Sequence, residues 1–549
     1  MGGSFESTGR HVDAAHRSPA PVLSADASCR VEPSGSRRPS LLRSAPALVL
    51  FAIVIADAMR SADTDLWGHL HFGNIVLFER QLFFHAPSSY ACPPGARDWI
   101  LVDWLGEAAM AMVYGVAGVV GLKLGKFGCV AAIVMLISSG LAETGAALAI
   151  QAAVLLLAAF AFVLHMQLRT FLADDVGLAA LIAMLARHSY GRRAPLWFAV
   201  PMLALWTNLH GGFFVGLAAV GLYAAVRGVQ DIATTGRLAG ATRLAALASA
   251  AALATLLNPY GLKDWTAIVG VLRNPFTLAH ISEFRPLLAV AADFYHAGRP
   301  LFTIVSALAI MLGMVVTFAL TPRADDLGLF AIAILMSCSA LYAVRNTALA
   351  VIACSVPLCR HAHLLLFDRL HYSRAARPAR APLSWRTMQI AIALAAVMIA
   401  LRTGLFSRTL PVVEPKPVGA LAFMQSHNLH GNVLCEFGWA DYLLFHDPAR
   451  MRIFIESIFE AYYPRRLQED FAAFYYDEPG ATRVLNAYAN DFVLMPTGSG
   501  AYAVLMAQND WRLLYRDPVA SLFAPAASPA AQIGGVPHLV AAAPPSVFP

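Results

Sequence analysis

Of the 549 residues, 58% are hydrophobic and only 13% are charged. A soluble globular domain carries about 25% charged residues, so a wholly soluble fold is excluded. The net charge of +6 comes from basic residues gathered in a few loops between apolar runs, which speaks for membrane orientation and against nucleic-acid binding. The seven cysteines are scattered singly, without CxxC or Cys/His metal spacing. Cys92 and Cys435 are either separate thiols or, in an oxidising compartment, a pair.

Residues 1–41 are rich in Ser, Ala, Pro and Arg and lack apolar periodicity, which predicts a disordered basic tail in the cytoplasm. No charged-then-apolar pattern of a cleavable signal stands near Met1, so the first apolar run is expected to remain as a helix. Apolar runs at 42–60, 119–140, 145–165, 171–187, 194–209, 211–227, 242–258, 299–320, 326–343, 344–361 and 386–404 are the expected spans. About 20 apolar residues cross a bilayer as a helix, and open sheet edges are not tolerated in lipid. The expected fold is therefore an α-helical polytopic membrane protein with a transmembrane domain over 42–408 and a first outer loop over 61–118.

Three loops carry the arginines: Arg187, Arg192 and Arg193; Arg227, Arg237 and Arg243; and Arg360, Arg369, Arg374, Arg377, Arg380 and Arg386. Eleven spans place all three beside the basic tail, as the preference for positive charge in the cytoplasm requires. Residues 100–118 are apolar enough to make a twelfth span, and Lys123 and Lys126 favour that alternative. Against it stand Asp103 and Glu107, four apart on one helical face, each costing about 2.5–3.5 kcal/mol at the bilayer centre. A re-entrant or interfacial helix is expected instead.

With this topology the unusual polar motifs all fall at the outer surface. Asp63 and Asp65 follow the first span and would share a divalent cation, Mg²⁺ or Mn²⁺, in an extended backbone; if a helix begins near Thr64, Asp63 is an N-cap instead. Asp65 and His69 are four apart, a spacing that suits proton transfer from an acceptor hydroxyl. Trp67 and Trp99 are expected as interface anchors. Arg169, where two apolar runs meet, either holds a phosphate or snorkels to the interface. In Trp206-Thr-Asn-Leu-His-Gly-Gly-Phe the glycines permit a tight reversal or the close approach of a ligand; His210 either binds a phosphate oxygen or caps the preceding helix, and Asn208 is a candidate substrate ligand. Asn258-Pro259-Tyr260-Gly261 is a helix stop and turn. Glu283, in a long outer loop, and Arg345, at a helix junction, complete the candidate substrate-binding set with His69, Asp103, Glu107, Arg169, Asn208 and His210.

Taken together, the D-x-D-L-W segment with its following histidine, the D-W-L-x-E segment, the N-L-H-G-G turn and the N-P-Y-G turn resemble the GT-C class of polytopic glycosyltransferases. More narrowly they resemble bacterial membrane proteins of the dolichyl-phosphate-mannose mannosyltransferase and lipopolysaccharide-core galacturonosyltransferase types. The resemblance covers residues 45 to about 520. It implies an outer-loop aspartate, Asp65 or Asp63, as catalytic base or metal ligand, and a polyprenyl-phosphate-linked sugar as donor. An Arg-Pro expected at the outer end of the third span stands here as Arg169-Thr170.

Residues 409–525 read as a small periplasmic α/β domain. A helix and turn is expected over 419–430, with strands over 431–437, 452–456 and from Phe492, and an edge strand from Trp511. Trp439, Tyr442, Tyr462 and Tyr463 either stack on sugars or fill the core. The Ala/Pro-rich end, 526–549, is expected to be disordered. The leading expectation is a glycosyltransferase of the bacterial inner membrane, acting on a periplasmic glycan, lipid or protein acceptor. The alternative is a transporter or a non-catalytic membrane protein that binds a lipid-linked glycan.

Overall fold

Helices form where the apolar runs lie, and the glycines decide where those helices bend and touch. The structure, a computed structural model, describes residues 62–82, 88–92, 100–163, 165–274, 281–369, 404–412, 414–457, 463–533, 538–540 and 546–549, with a few isolated positions besides. All but Gly2 belong to one unit, Leu42–Pro549. The expected span 42–60 lies outside the described residues, as does 386–404 apart from isolated positions.

A short helix α1 (Leu66–Asn74) is followed by the long α2 (Trp104–Glu143), then α3 (Leu148–Phe162), α4 (Leu172–Ser189), α5 (Ala199–Leu209), α6 (Phe213–Thr235) and α7 (Leu238–Ala254). The short α8 (Leu262–Leu272) and α9 (Leu287–His296) precede α10 (Phe302–Leu320), α11 (Leu327–Tyr342) and α12 (Thr347–Leu364). Each expected span from 119–140 to 344–361 coincides with one of these helices. Five segments are long and apolar enough to cross a membrane: α2, α6, α10, α11 with its preceding turn, and α12 with its flanking turns. The protein is thus polytopic.

The helix α2 is kinked at Gly118, whose φ of 58° and ψ of −150° leave the helical region. That conformation suits glycine, which has no Cβ to clash. The kink separates residues 104–117, which pack on α1, from the apolar run that begins at Val119.

Successive helices reverse direction, so their ends gather into two clusters. At one end Glu143 accepts from Arg187 at 3.0 Å and lies 2.9 Å from Arg192. There too Arg360 pairs with Asp325 at 2.6 Å and Asp326 at 3.0 Å, its guanidinium 4.1 Å from the Tyr190 ring centre. The opposite end carries the Asp, His, Asn and Arg motifs. Between the ends, the indole of Trp206 fills a slot made by two glycines: an added Cβ at Gly177 or at Gly216 would lie 2.5 Å from its ring. The Trp206 Nε1 donates to Asp174 Oδ1 at 2.7 Å, which satisfies a buried carboxylate inside the bundle.

The C-terminal domain contains α13 (Val418–Ser426), α14 (Phe437–His446), α15 (Arg465–Tyr475), α16 (Arg483–Ala487) and α17 (Gly500–Met506). Its strands are β2 (Gly431–Cys435), β3 (Met451–Ile453), β4 (Phe492–Pro496), β5 (Trp511–Arg516), β6 (Ala520–Pro525) and β7 (His538–Leu539), in the spatial order β3-β2-β4-β6-β5-β7. β2 runs parallel to β3 and β4, whereas β6 is antiparallel to both β4 and β5. The strand from Trp511 is not at the edge, because β7 pairs beside Tyr515 and Arg516.

A separate pair, β1 (Leu410–Pro411) and β8 (Val547–Phe548), brings the last residues back into the fold. Phe548 is fully buried, against the rings of Trp67, Tyr114 and Phe445. The end read as a tail is therefore ordered at its last residues, because an aromatic side chain finds a closed apolar site there. Trp67 is likewise no interface anchor. It is fully buried, edge-on to Tyr442 at 5.5 Å. Trp99 and Tyr462 lie outside the described residues.

The segment around α1 is stitched to the C-terminal domain. Ala62 bridges to Val412 and its N–H donates to Pro411 O at 2.8 Å. Ser89 bridges to Ile453 beside β3, and Tyr90 N–H donates to the Ile453 carbonyl at 3.1 Å. Lys123 fixes the start of the domain from below: its Nζ donates to the carbonyls of Gly404 (2.8 Å), Ser407 (2.9 Å) and Thr409 (3.2 Å).

Candidate functional site

Arg169 stands in the connection between α3 and α4 and sends its guanidinium among three carboxylates. Nη2 donates to Asp63 Oδ1 at 2.8 Å and lies 3.1 Å from Asp65 Oδ2; Nη1 donates to Glu283 Oε1 at 2.7 Å. The partners come from the residues just before α1 and from the turn Ser282–Phe284, separated from Arg169 by more than a hundred residues on either side. The sequence leaves Arg169 either holding a phosphate or snorkelling to the interface. In the structure both of its terminal nitrogens are engaged by protein carboxylates, so a phosphate would have to compete with them.

Asp63 and Asp65 differ in setting despite their spacing. Asp65, not Asp63, is the N-cap of α1, and Asp63 Oδ1 accepts from the Asp65 N–H at 3.0 Å. The Asp63 side chain is 3% exposed and that of Asp65 29%. Burial works to raise the pKa of Asp63, but the Arg169 charge outweighs it and holds the carboxyl below its usual range. For Asp65 burial prevails, helped by the charge of Asp63 and opposed by Arg169, and its pKa is raised. Among the described residues no group of three or more His, Cys, Asp or Glu side chains is arranged to hold a metal ion.

His69 turns toward α2 and not toward the Asp65 carboxylate. Its Nδ1 lies 3.1 Å from Glu107 Oε1, and Glu107 is fully buried. Burial would lower the His69 pKa; the hydrogen bond and charge of Glu107 raise it instead. Asp103 is the N-cap of α2, and it accepts from Thr170 Oγ1 at 2.9 Å and from the Gly211 N–H at 3.1 Å. It thereby ties the loop, the Arg169 turn and the glycine reversal together. Gly106 permits the approach, since a Cβ there would lie 2.5 Å from the Leu209 carbonyl oxygen.

Asn208 was expected to bind substrate but is occupied structurally. Its Oδ1 accepts from Trp104 Nε1 at 3.0 Å, and its Nδ2 donates to the carbonyls of Ala204 (2.7 Å) and Leu257 (2.9 Å). His210 ends α5, with Nδ1 2.7 Å from Asp174 Oδ2. Burial opposes its protonation, but Asp174 and Asp103 outweigh that and raise the pKa to about 9.

Asp65, His69, Asp103, Arg169, Thr170, His210, Glu283 and Arg345 line one cavity of about 830 Å³, closed from the other side by Glu436, Trp439, Tyr475 and Tyr476 of the C-terminal domain. Asp63 and Glu107 lie buried behind this surface. Arg345 sits 4.7 Å from the Phe284 ring centre and makes no ion pair among the described residues. It also lines a neighbouring cavity of about 520 Å³ with His165, Asp174 and Asp175.

A third space, an apolar groove of about 400 Å³ between α2, α4 and α5, reaches the polar cavity at Arg169 and Thr170, which line both. Its other cation is Lys126, 3% exposed, whose Nζ has no hydrogen-bond partner among the described residues.

Sequence reasoning missed Asp174 and Asp175, although adjacent acids interrupting an apolar run were a visible signal. It also missed Asp441, whose carboxylate packs so closely on α1 that a Cβ at Gly68 would lie 2.4 Å from Oδ2. Burial, then the charge of Asp65, pushes the Asp441 pKa up to about 7. Nothing local marks Asp441, because its neighbour is nearly four hundred residues away.

No protein-family model matches the chain, and no curated protein does. Among solved structures the chain is similar to the archaeal oligosaccharyltransferase AglB from Archaeoglobus fulgidus in complex with an inhibitory peptide and a dolichol-phosphate. The identity is 14% over 82% of this chain and 69% of that one, with a TM-score of 0.53. The apo form of the Archaeoglobus fulgidus oligosaccharyltransferase matches with the same identity and coverage and a TM-score of 0.50. At such identity the likeness establishes a fold shared with these archaeal oligosaccharyltransferases.

Proposed function

We propose that the protein is a membrane glycosyltransferase that moves a sugar from a polyprenyl-phosphate-linked donor to an acceptor at the periplasmic face of a bacterial inner membrane. One observation carries the reading: an apolar groove between membrane helices opens into a polar, carboxylate-bearing cavity at Arg169 and Thr170. A lipid-linked sugar needs both environments at once, the groove for its chain and the cavity for its phosphate and sugar. The basic loops at the opposite end support the periplasmic orientation.

In this reading Asp65 is the base. It reaches the cavity, and a carboxyl whose pKa is raised takes a proton more effectively at neutral pH than an ordinary one. The acceptor oxygen bonds to the sugar C1 as the bond from C1 to the phosphate oxygen breaks. The acceptor's proton passes to Asp65, and the phosphate leaves with the electron pair. Arg345, which lines the cavity and makes no ion pair among the described residues, balances the phosphate charge, while Lys126 lies along the groove through which the lipid enters. Trp439, Tyr475 and Tyr476 offer aromatic faces to the acceptor, a glycan, lipid or protein, from above.

The test uses purified protein in native lipid with a polyprenyl-phosphate sugar, comparing wild type with Asp65→Asn. The expected loss is about 10²–10⁴-fold in transfer or donor hydrolysis, the usual contribution of a general base. Equal rates for a folded Asp65→Asn would remove Asp65 from the chemistry, and no turnover by wild type would sink the enzyme reading.

A further inference from the structure

Two aspartates two residues apart in an outer loop point, as a sequence, to a divalent cation. Such a cation takes carboxylate oxygens at about 2.0–2.6 Å. The residues present do not fit one. Asp63, Asp65 and Glu283 already converge on a single group, the Arg169 guanidinium, at 2.8, 3.1 and 2.7 Å. Nη2 faces Asp63 and Asp65 and Nη1 faces Glu283, so the planar side chain occupies the place among the three carboxylates that a shared cation would need. A guanidinium also keeps its proton at any accessible pH, so this positive charge cannot be titrated away to admit a metal. The side chain itself is only 17% exposed, and Thr170 beside it is pinned to Asp103 at 2.9 Å, so the arginine has little freedom to withdraw.

We propose that Arg169 replaces a divalent cation in this protein: the guanidinium is the resident positive charge that gathers Asp63, Asp65 and Glu283 into one site. Arg169 is thus a positioning residue. It draws the residues just before α1 and the turn Ser282–Phe284 onto the start of α4 and sets Asp65 at the cavity wall. The corollary that transfer runs without added metal rests on the glycosyltransferase reading; the statement about metal binding does not.

The experiment titrates Mn²⁺ into the purified full-length protein in lipid nanodiscs and follows free Mn²⁺ by electron paramagnetic resonance. Wild type is expected to bind no Mn²⁺ that depends on Asp65 or Glu283. Arg169→Ala, which leaves three carboxylates without their counter-charge, is expected to bind Mn²⁺ at least about tenfold more tightly than wild type. Adding Glu283→Gln to that variant should reverse the gain. One Mn²⁺ held by wild type and released by Asp65→Asn or Glu283→Gln would overturn the proposal, as would a folded Arg169→Ala that gains no affinity. If Arg169→Ala does not fold, the wild-type comparison with Asp65→Asn and Glu283→Gln decides alone. In the same preparation, sugar transfer should survive EDTA unchanged. Absence of transfer would count against the glycosyltransferase reading and leave the Mn²⁺ result standing.

Discussion

His210 occupies the reversal between α5 and α6, where the chain leaves one helix and enters the next within three residues. Asp174 and Asp103 lie on either side of its ring, at 2.7 and 4.0 Å, and hold it protonated with a pKa of about 9. A folded-state pKa above the ordinary value of 6.5 means that the folded state binds the proton more tightly than the unfolded chain. The pair therefore contributes its full stability below about pH 6.5 and loses it as pH rises through about 9. The expected size is roughly 3–4 kcal/mol, since each tenfold difference in proton affinity between the folded and unfolded chain is worth about 1.4 kcal/mol. Thermal melts in detergent should show wild type weakening between pH 6.5 and 9.5 and His210→Gln changing far less. Identical pH profiles would mean that the pair carries no such energy. At this scale the sequence singled out residues that line one cavity, Asp65, His69, Arg169, His210, Glu283 and Arg345. It did not assign their partners, because two of the expected pairings were local, Asp63 with Asp65 on a cation and Asp65 with His69. The observed ones join Arg169 to Glu283 and His69 to Glu107, across distances in sequence that spacing cannot reveal.

At the scale of elements, helix contacts here are set by small residues. Without a hydrophobic drive between helices in lipid, close packing and hydrogen bonds hold them, and the Trp206 slot uses both. Gly177→Ala would place a methyl group 2.5 Å from the indole, forcing α4 and α5 apart at a cost of about 1–3 kcal/mol. Gly221→Ala, where an added Cβ meets nothing within 4 Å, should be neutral or stabilise by up to about 1 kcal/mol through helix propensity. Unfolding by denaturant in mixed micelles checks both, and equal stabilities of the two variants would refute the slot. The nine expected spans that lie within the described residues were legible as helices, since hydrophobic length is a local property. Gly118 was not: the sequence marked Asp103 and Glu107 as too costly for the bilayer centre, but only the backbone shows where α2 bends.

At the scale of the whole molecule, the membrane bundle and the C-terminal domain are joined by the segment around α1 and by residues 547–548. Leu410–Pro411 pairs with Val547–Phe548, Ala62 with Val412, and Trp67 sits beneath Tyr442 and Phe548. Phe548→Ala should cost about 3–5 kcal/mol, the usual range for emptying a buried aromatic site, and should make the C-terminal domain easier to cleave by limited proteolysis. Unchanged proteolysis would show that the last strand is dispensable for docking. This coupling also closes the cavity, since Glu436, Trp439, Tyr475 and Tyr476 reach it only because the domain is held down.

The sequence by itself determined that the chain lives in a bilayer, that its basic residues gather in a few loops, and which polar residues are unusual for such a chain. Those properties depend on composition and spacing along a short stretch of chain. Only the tertiary structure decided that Arg169 lies at the centre of three carboxylates, that Asp441 and Asp174 stand behind the site, and that the final phenylalanine locks the segment around α1. Each of these depends on which distant segments packing brings within hydrogen-bond or van der Waals range.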